Sequence, residues 1–100
     1  MPDQLTMDFS TTTPPKDFSP PRQALWWLKK GDLKLGAEWD QAHGICQSAE
    51  GDKTHDWIHA LCHLIEGDHG NAAYWFRRAD KPSDNRDVSK IWDDIAITLG

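Results

Sequence analysis

Apolar residues recur along most of the chain at intervals of three and four, the spacing that lines one face of an α-helix. Sustained alternation of apolar and polar residues, the mark of a half-buried strand, is almost absent. The pattern and its punctuation predict five short helices. Pro21 opens a first helix over about 22–30, and Gly31 stops it. After the connector "LKLGA" a second helix runs over about 38–49, closing before "EGD". Asp52 or Thr54 caps a third over about 53–66, which ends at Gly67. Asp68 caps a fourth over about 69–80, ending before Pro82, with Asn71 bracing the turn. A fifth, over about 86–98, lines Val88, Ile91, Trp92, Ile95 and Leu99 on one face. Short connections imply antiparallel neighbours, so the expected fold is all-α, built from helical hairpins.

Residues 1–21 break this pattern. They hold five of the six prolines and a run of threonines, with no apolar period. Proline removes backbone donors, and so few apolar groups cannot offset the entropy of ordering. The expected organisation is a disordered leader over 1–21 and one helical domain over 22–100. The alternative for the leader is a docking peptide that uses Phe9 and Phe18, toward a partner or toward this same domain.

The helical region repeats itself at a spacing of 30: Trp27 aligns with Trp57, Leu28 with Ile58, Leu35 with Ile65, Gln41 with Asn71, Ala42 with Ala72 and Ala49 with Ala79. Both copies end in alanine, a bulkier apolar residue, then alanine: Ala42, Cys46, Ala49 and Ala72, Phe76, Ala79. Small residues let two helices approach, and the larger one fills the gap beside them. The unit resembles the helix–turn–helix of tetratricopeptide proteins, in which the second helix carries alanine, an aromatic and alanine. That likeness implies stacked hairpins, with the fifth helix capping an exposed apolar face.

A second resemblance covers about 38–80. "EWDQAHGICQ" followed by "WIHALCHLIEGDHGNAAYWFRRA" is similar to a group of small bacterial proteins of uncharacterised function. Their pattern is Trp-Asp-x-x-Ala-His, then Trp-x-His-Ala-x-x-His-x-x-Glu-Gly-Asp, then Gly-Asn-Ala-x-Tyr-Trp. The resemblance marks Trp39, Ala42, His43, Gln47, Trp57, His59, Ala60, His63, Glu66, Gly67, Asp68, Gly70, Asn71, Ala72, Tyr74 and Trp75. The resemblance implies no activity.

Charge and composition exclude several classes. A net charge of −5 argues against a surface that tracks nucleic-acid phosphates, and against anionic membranes. No apolar run approaches the roughly 20 residues a bilayer span needs. The two cysteines, Cys46 and Cys62, make no disulfide framework, so a reduced, cytoplasmic setting is the expectation. Six tryptophans point to a core, or an interface between copies, built on aromatics.

The candidate chemistry lies on the third helix. At about 100° per residue, Asp56, His59, His63 and Glu66 fall within an arc of about 80°, opposite Trp57, Ala60, Leu61, Leu64 and Ile65. The plain reading is an amphipathic helix with a hydrated histidine stripe, or histidines that hydrogen-bond across helix packings and fix their register. The sharper reading is a transition-metal site. Histidines at i and i+4 can aim at one cation, Glu66 can add an oxygen, and His43 can complete the set. Cys46 is a poor ligand candidate because it takes the packing place of Phe76. A zinc-peptidase helix would carry glutamate beside the first histidine, where this chain has Ala60. His59 or His63 beside Glu66 could instead serve as a general base, but no nucleophile motif or phosphate loop accompanies them. The chain therefore reads as a protein-interaction or assembly module rather than an enzyme, binding a protein partner or forming a homodimer. The alternative is a small metal-dependent or histidine-based enzyme centred on His43, His59, His63 and Glu66. Tyr74, Arg77 and Arg78 form a candidate recognition patch for an acidic partner.

Overall fold

Five helices appear in a computed structural model that describes residues 7–99: α1 (Pro20–Lys30), α2 (Ala37–Gln47), α3 (Lys53–Ile65), α4 (His69–Arg78) and α5 (Val88–Leu99). Among the described residues there is no strand. Each helix lies within two residues of its expected bounds. α1 packs against α2 and α3 against α4, while α5 lies across α1 and α3. α3 therefore touches every other helix, and its side chains are covered from several directions.

Local chemistry explains the corners. Gly31 closes α1, and a Cβ there would sit 2.7 Å from Glu38 Cβ, so only glycine lets the chain turn back so tightly. The Asp52 carboxylate accepts from the His55 amide at 3.1 Å and caps α3. At the other end Gly67 takes φ +83°, the Asp68 amide donates to His63 O at 2.9 Å, and the Gly67 amide donates to Leu64 O at 3.1 Å. This Schellman end satisfies carbonyls that the finished helix leaves open. Asp68 at once caps α4, accepting from the Asn71 amide at 3.2 Å and from Asn71 Nδ2 at 2.7 Å. Helix end and helix start thus share one three-residue corner.

The core runs between the hairpins and under α5. Leu25, Trp26, Leu28, Ile58, Leu61, Cys46, Cys62 and Ile95 are fully or almost fully buried. The repeat is legible in it: Ala42 and Ala72 are both buried, as are Leu28 and Ile58, and Cys46 and Phe76. The apolar face of α5 packs as expected, and the Trp92 indole donates to Leu25 O at 2.8 Å, tying α5 to α1. Trp26, Trp39, Trp75 and Trp92 are buried, and Trp27 and Trp57 are half-buried. The exposed large apolar groups are instead Leu35, Tyr74 and Ile97, so the indoles leave little free surface for a partner.

Of the expected leader, residues 1–6 lie outside the described residues. Residues 7–19 form no helix, as their prolines dictate, but the stretch around Phe9 is not loose. Met7 and Phe9 pack against the core, and the Phe9 ring lies 5.7 Å from Trp26. The Trp26 indole donates to Asp8 O at 2.8 Å, and Lys30 Nζ donates to Phe9 O at 2.6 Å. Ser10, Thr11, Thr12, Thr13, Lys16 and Asp17 are exposed, whereas Met7 and Phe9 lie on this same domain. Trp26 decides this: an indole with an N–H to satisfy and a face to cover recruits the neighbouring chain. No helix among the described residues is long and apolar enough to cross a membrane.

Candidate metal-binding site

Three of the five histidines converge. His43 comes from the middle of α2, and His59 and His63 from successive turns of α3. One ring nitrogen from each lies within 4.8 Å of the others. Nε2 of His43 and Nε2 of His59 are 3.1 Å apart. The rings of His59 and His63 stack at 4.9 Å, and His43 stands nearly perpendicular to both, at 83°.

Each imidazole has its own support. His43 stacks on Trp39, one turn earlier on α2, with centroids 4.6 Å apart. The Trp39 indole is anchored in turn, donating to Cys62 O at 2.9 Å. His59 stacks on Trp75 of α4 at 4.0 Å, nearly parallel at 16°. His63 Nδ1 bonds the Glu66 carboxylate through a short hydrogen bond. That leaves Nε2 of His63 to face the cluster. Glu66 does not join the three nitrogens; it groups instead with His63 and Asp68, whose potential ligand atoms also lie within 4.8 Å of one another.

The expected hydrated stripe is only partly so. His59 is 2% exposed and Asp56 1%, while His43 and His63 are half-buried. Asp56 and His59 of the polar arc are covered by neighbouring elements, while Glu66 stays exposed. A helical wheel shows which residues share a face, but cannot tell that neighbouring helices cover that face. Burial shapes the electrostatics. It pulls His59 down to about 3, with the neighbouring His43 and His63 adding to the effect. Burial, followed by the charge of His63, also lowers His43. Both rings are therefore neutral near pH 7 and keep a lone pair for a cation.

The cysteines are not part of the site. Cys46 and Cys62 are free and fully buried. Contact with Cys46, followed by burial, pushes the Cys62 thiol well above its usual range, so it stays protonated and inert. His55 is likewise committed elsewhere, its Nδ1 bonding Asp52 at 2.6 Å. Tyr74, Arg77 and Arg78 are exposed on the far side of α4, and Arg78 donates to the Tyr74 hydroxyl at 2.9 Å. Arg78 also lies over Trp75, 5.1 Å from the indole centroid, so the patch adjoins the histidine cluster through that ring.

Two indoles were not in the set expected from sequence. Trp39 stands four before His43 on one helix, a spacing at which side chains meet, so its role was available to that reasoning. Trp75 reaches His59 only through the packing of α4 on α3, and no local spacing signals it.

Fold and site together define an all-α protein of two helical hairpins and a closing helix, with a histidine cluster where α2, α3 and α4 meet. No protein-family model, curated protein or solved structure matches this chain.

Proposed function

We propose that this protein binds one transition-metal ion of the zinc class through Nε2 of His43, His59 and His63. The observation that carries this reading is the convergence of three ring nitrogens within 4.8 Å, each ring held by a separate partner. Tetrahedral zinc with bonds of about 2.0–2.1 Å sets its ligand nitrogens roughly 3.3 Å apart. His43 and His59 are already near that separation at 3.1 Å, and a modest turn of His63 completes the set. Without a cation only the His43–His59 contact links the three rings, and Nδ1 of His59 is buried with no partner. The Glu66 carboxylate behind His63 matches the support that metal-binding histidines commonly have. Three nitrogen ligands leave a fourth position for water, whose proton such an ion makes much easier to lose.

Cobalt(II) titration of chelator-treated protein tests the reading. The expected result is one equivalent bound, with visible bands of a tetrahedral site that zinc abolishes. His59→Ala and His63→Ala should each remove them. Wild-type protein that binds no cobalt, or variants that bind as it does, would refute the proposal.

A protein-interaction role remains as a second reading, favoured by a specific observation: Tyr74 is 42% exposed and braced by Arg78. The Tyr74, Arg77 and Arg78 face would engage an acidic segment of a partner or of a second copy. The hairpins would then be tetratricopeptide-like units that present it. Light scattering of wild type and a Tyr74→Ala, Arg78→Ala double variant separates a homodimer from a monomer.

A further inference from the structure

Two buried polar atoms of α3 have no hydrogen-bond partner: Oδ2 of Asp56 and Nδ1 of His59. Both residues are almost fully enclosed, at 1% and 2% exposure. They stand at i and i+3, where helix side chains are neighbours, and the His59 side chain leans back over the turn that bears Asp56. A buried polar atom without a partner costs about 1–3 kcal/mol, more when charged. The two atoms are not bonded to each other in this structure, but an unused acceptor one helical turn from an unused ring nitrogen that can carry a proton is a complementary pair.

The surroundings fit a carboxylate held in place for this purpose. Its other oxygen, Oδ1, accepts from the Gly51 amide at 3.1 Å, at a corner where Gly51 takes φ +99°. That bond tethers the carboxylate to the α2–α3 turn. Arg78 lies close enough for the Asp56 charge to be felt there, behind the larger influence of Tyr74, yet makes no ion pair with it. Asp56 thus keeps one oxygen uncommitted. The other two imidazoles already have their supports, His63 in Glu66 and His43 in Trp39. His59 has a stacking partner in Trp75 but nothing that selects which of its nitrogens carries the proton.

We propose that Asp56 is the positioning carboxylate of His59, taking the Nδ1 proton in a hydrogen bond, directly or through one water, so that the Nε2 lone pair faces His43 and His63. His43 then donates its Nε2 proton across the 3.1 Å contact in metal-free protein; when a cation enters, that proton passes to solvent and Nδ1 of His43 takes one up from solvent, so the ring stays neutral. The effect on affinity rests on the metal reading above; the placement of the proton does not.

Asp56→Asn provides the test. The amide keeps the size of the side chain and an oxygen for the Gly51 amide, but it can turn an NH2 group toward His59, where Nδ1 would have to accept. Long-range proton–nitrogen NMR of metal-free protein should find the His59 proton on Nδ1 in wild type and on Nε2 in Asp56→Asn. Cobalt(II) titration should show binding about 10–100-fold weaker in the variant, the usual effect of removing such a support. A wild-type His59 protonated on Nε2 overturns the proposal whether or not the variant folds. An unchanged tautomer in a folded Asp56→Asn also overturns it. If the tautomer switches but neither protein binds cobalt, the Asp56 assignment stands and the metal reading falls.

Discussion

Acidifying the metal-free protein from pH 7.5 to 5.0 should destabilise it through His59. In the folded protein this ring takes up a proton only near pH 3, whereas in the unfolded chain it does so near 6.5. The unfolded state therefore binds the extra proton first. The stabilising effect of neutral His59 is complete above about pH 6.5 and is lost progressively as pH falls from there toward 3. Between 6.5 and 5.0 one such group withdraws about 2 kcal/mol, at 1.36 kcal/mol per unit. The Asp56 carboxylate proposed as partner of Nδ1 favours the charged ring and, with rearrangement at the half-open rim, reduces this to about 1 kcal/mol. A domain of this size loses about 4–8 °C of Tm per kcal/mol. Thermal melts by circular dichroism in chelator should thus fall by about 4–8 °C over this interval. In His59→Leu the fall should shrink to the smaller part that His43 supplies, since burial lowers His43 too. Equal wild-type midpoints at the two pH values, or a His59→Leu variant that falls as far as wild type, would refute the reasoning.

Trp75→Leu removes the ring stacked on His59 and should weaken cobalt(II) binding several-fold, with Trp75→Phe recovering most of it; equal affinity in all three would show that the stack does not orient the ligand. Trp92→Phe removes the indole donor to Leu25 O beneath α5 and should cost about 1 kcal/mol in urea unfolding. Asp52→Ala removes the α3 cap and should cost about 1 kcal/mol. The His55 hydrogen bonds also hold the Asp52 carboxyl below its ordinary range, so the cap's contribution is present above about pH 4 and lost below it, visible as convergence of wild-type and variant melts in acid.

Much of the architecture was legible from residue order. Helix ends depend on neighbours a few positions away, so Asp52, Gly67, Asp68 and Gly31 could be assigned from local chemistry, and the structure places each at such an end. The apolar faces of α4 and α5 were legible for the same reason, because helical periodicity is a property of a short window. His59 and His63 could be paired because one helix carries both.

What the sequence determined by itself was five helices, their corners, and one stripe of imidazole and carboxylate. Tertiary structure decided what that stripe faces. Only the packing of α2 and α4 on α3 brings His43 to His59, lays Trp75 over it and buries Asp56 beside Gly51. Helical spacing relates residues within about one turn, whereas His59 lies 16 positions from both His43 and Trp75. Their environment, and with it the lowered basicity of His43 and His59, arises when the helices exclude water between them. The same holds at the chain's start, where a proline-rich segment with no helix of its own lies on Trp26 because the folded domain presents a ring face and an unmet indole donor.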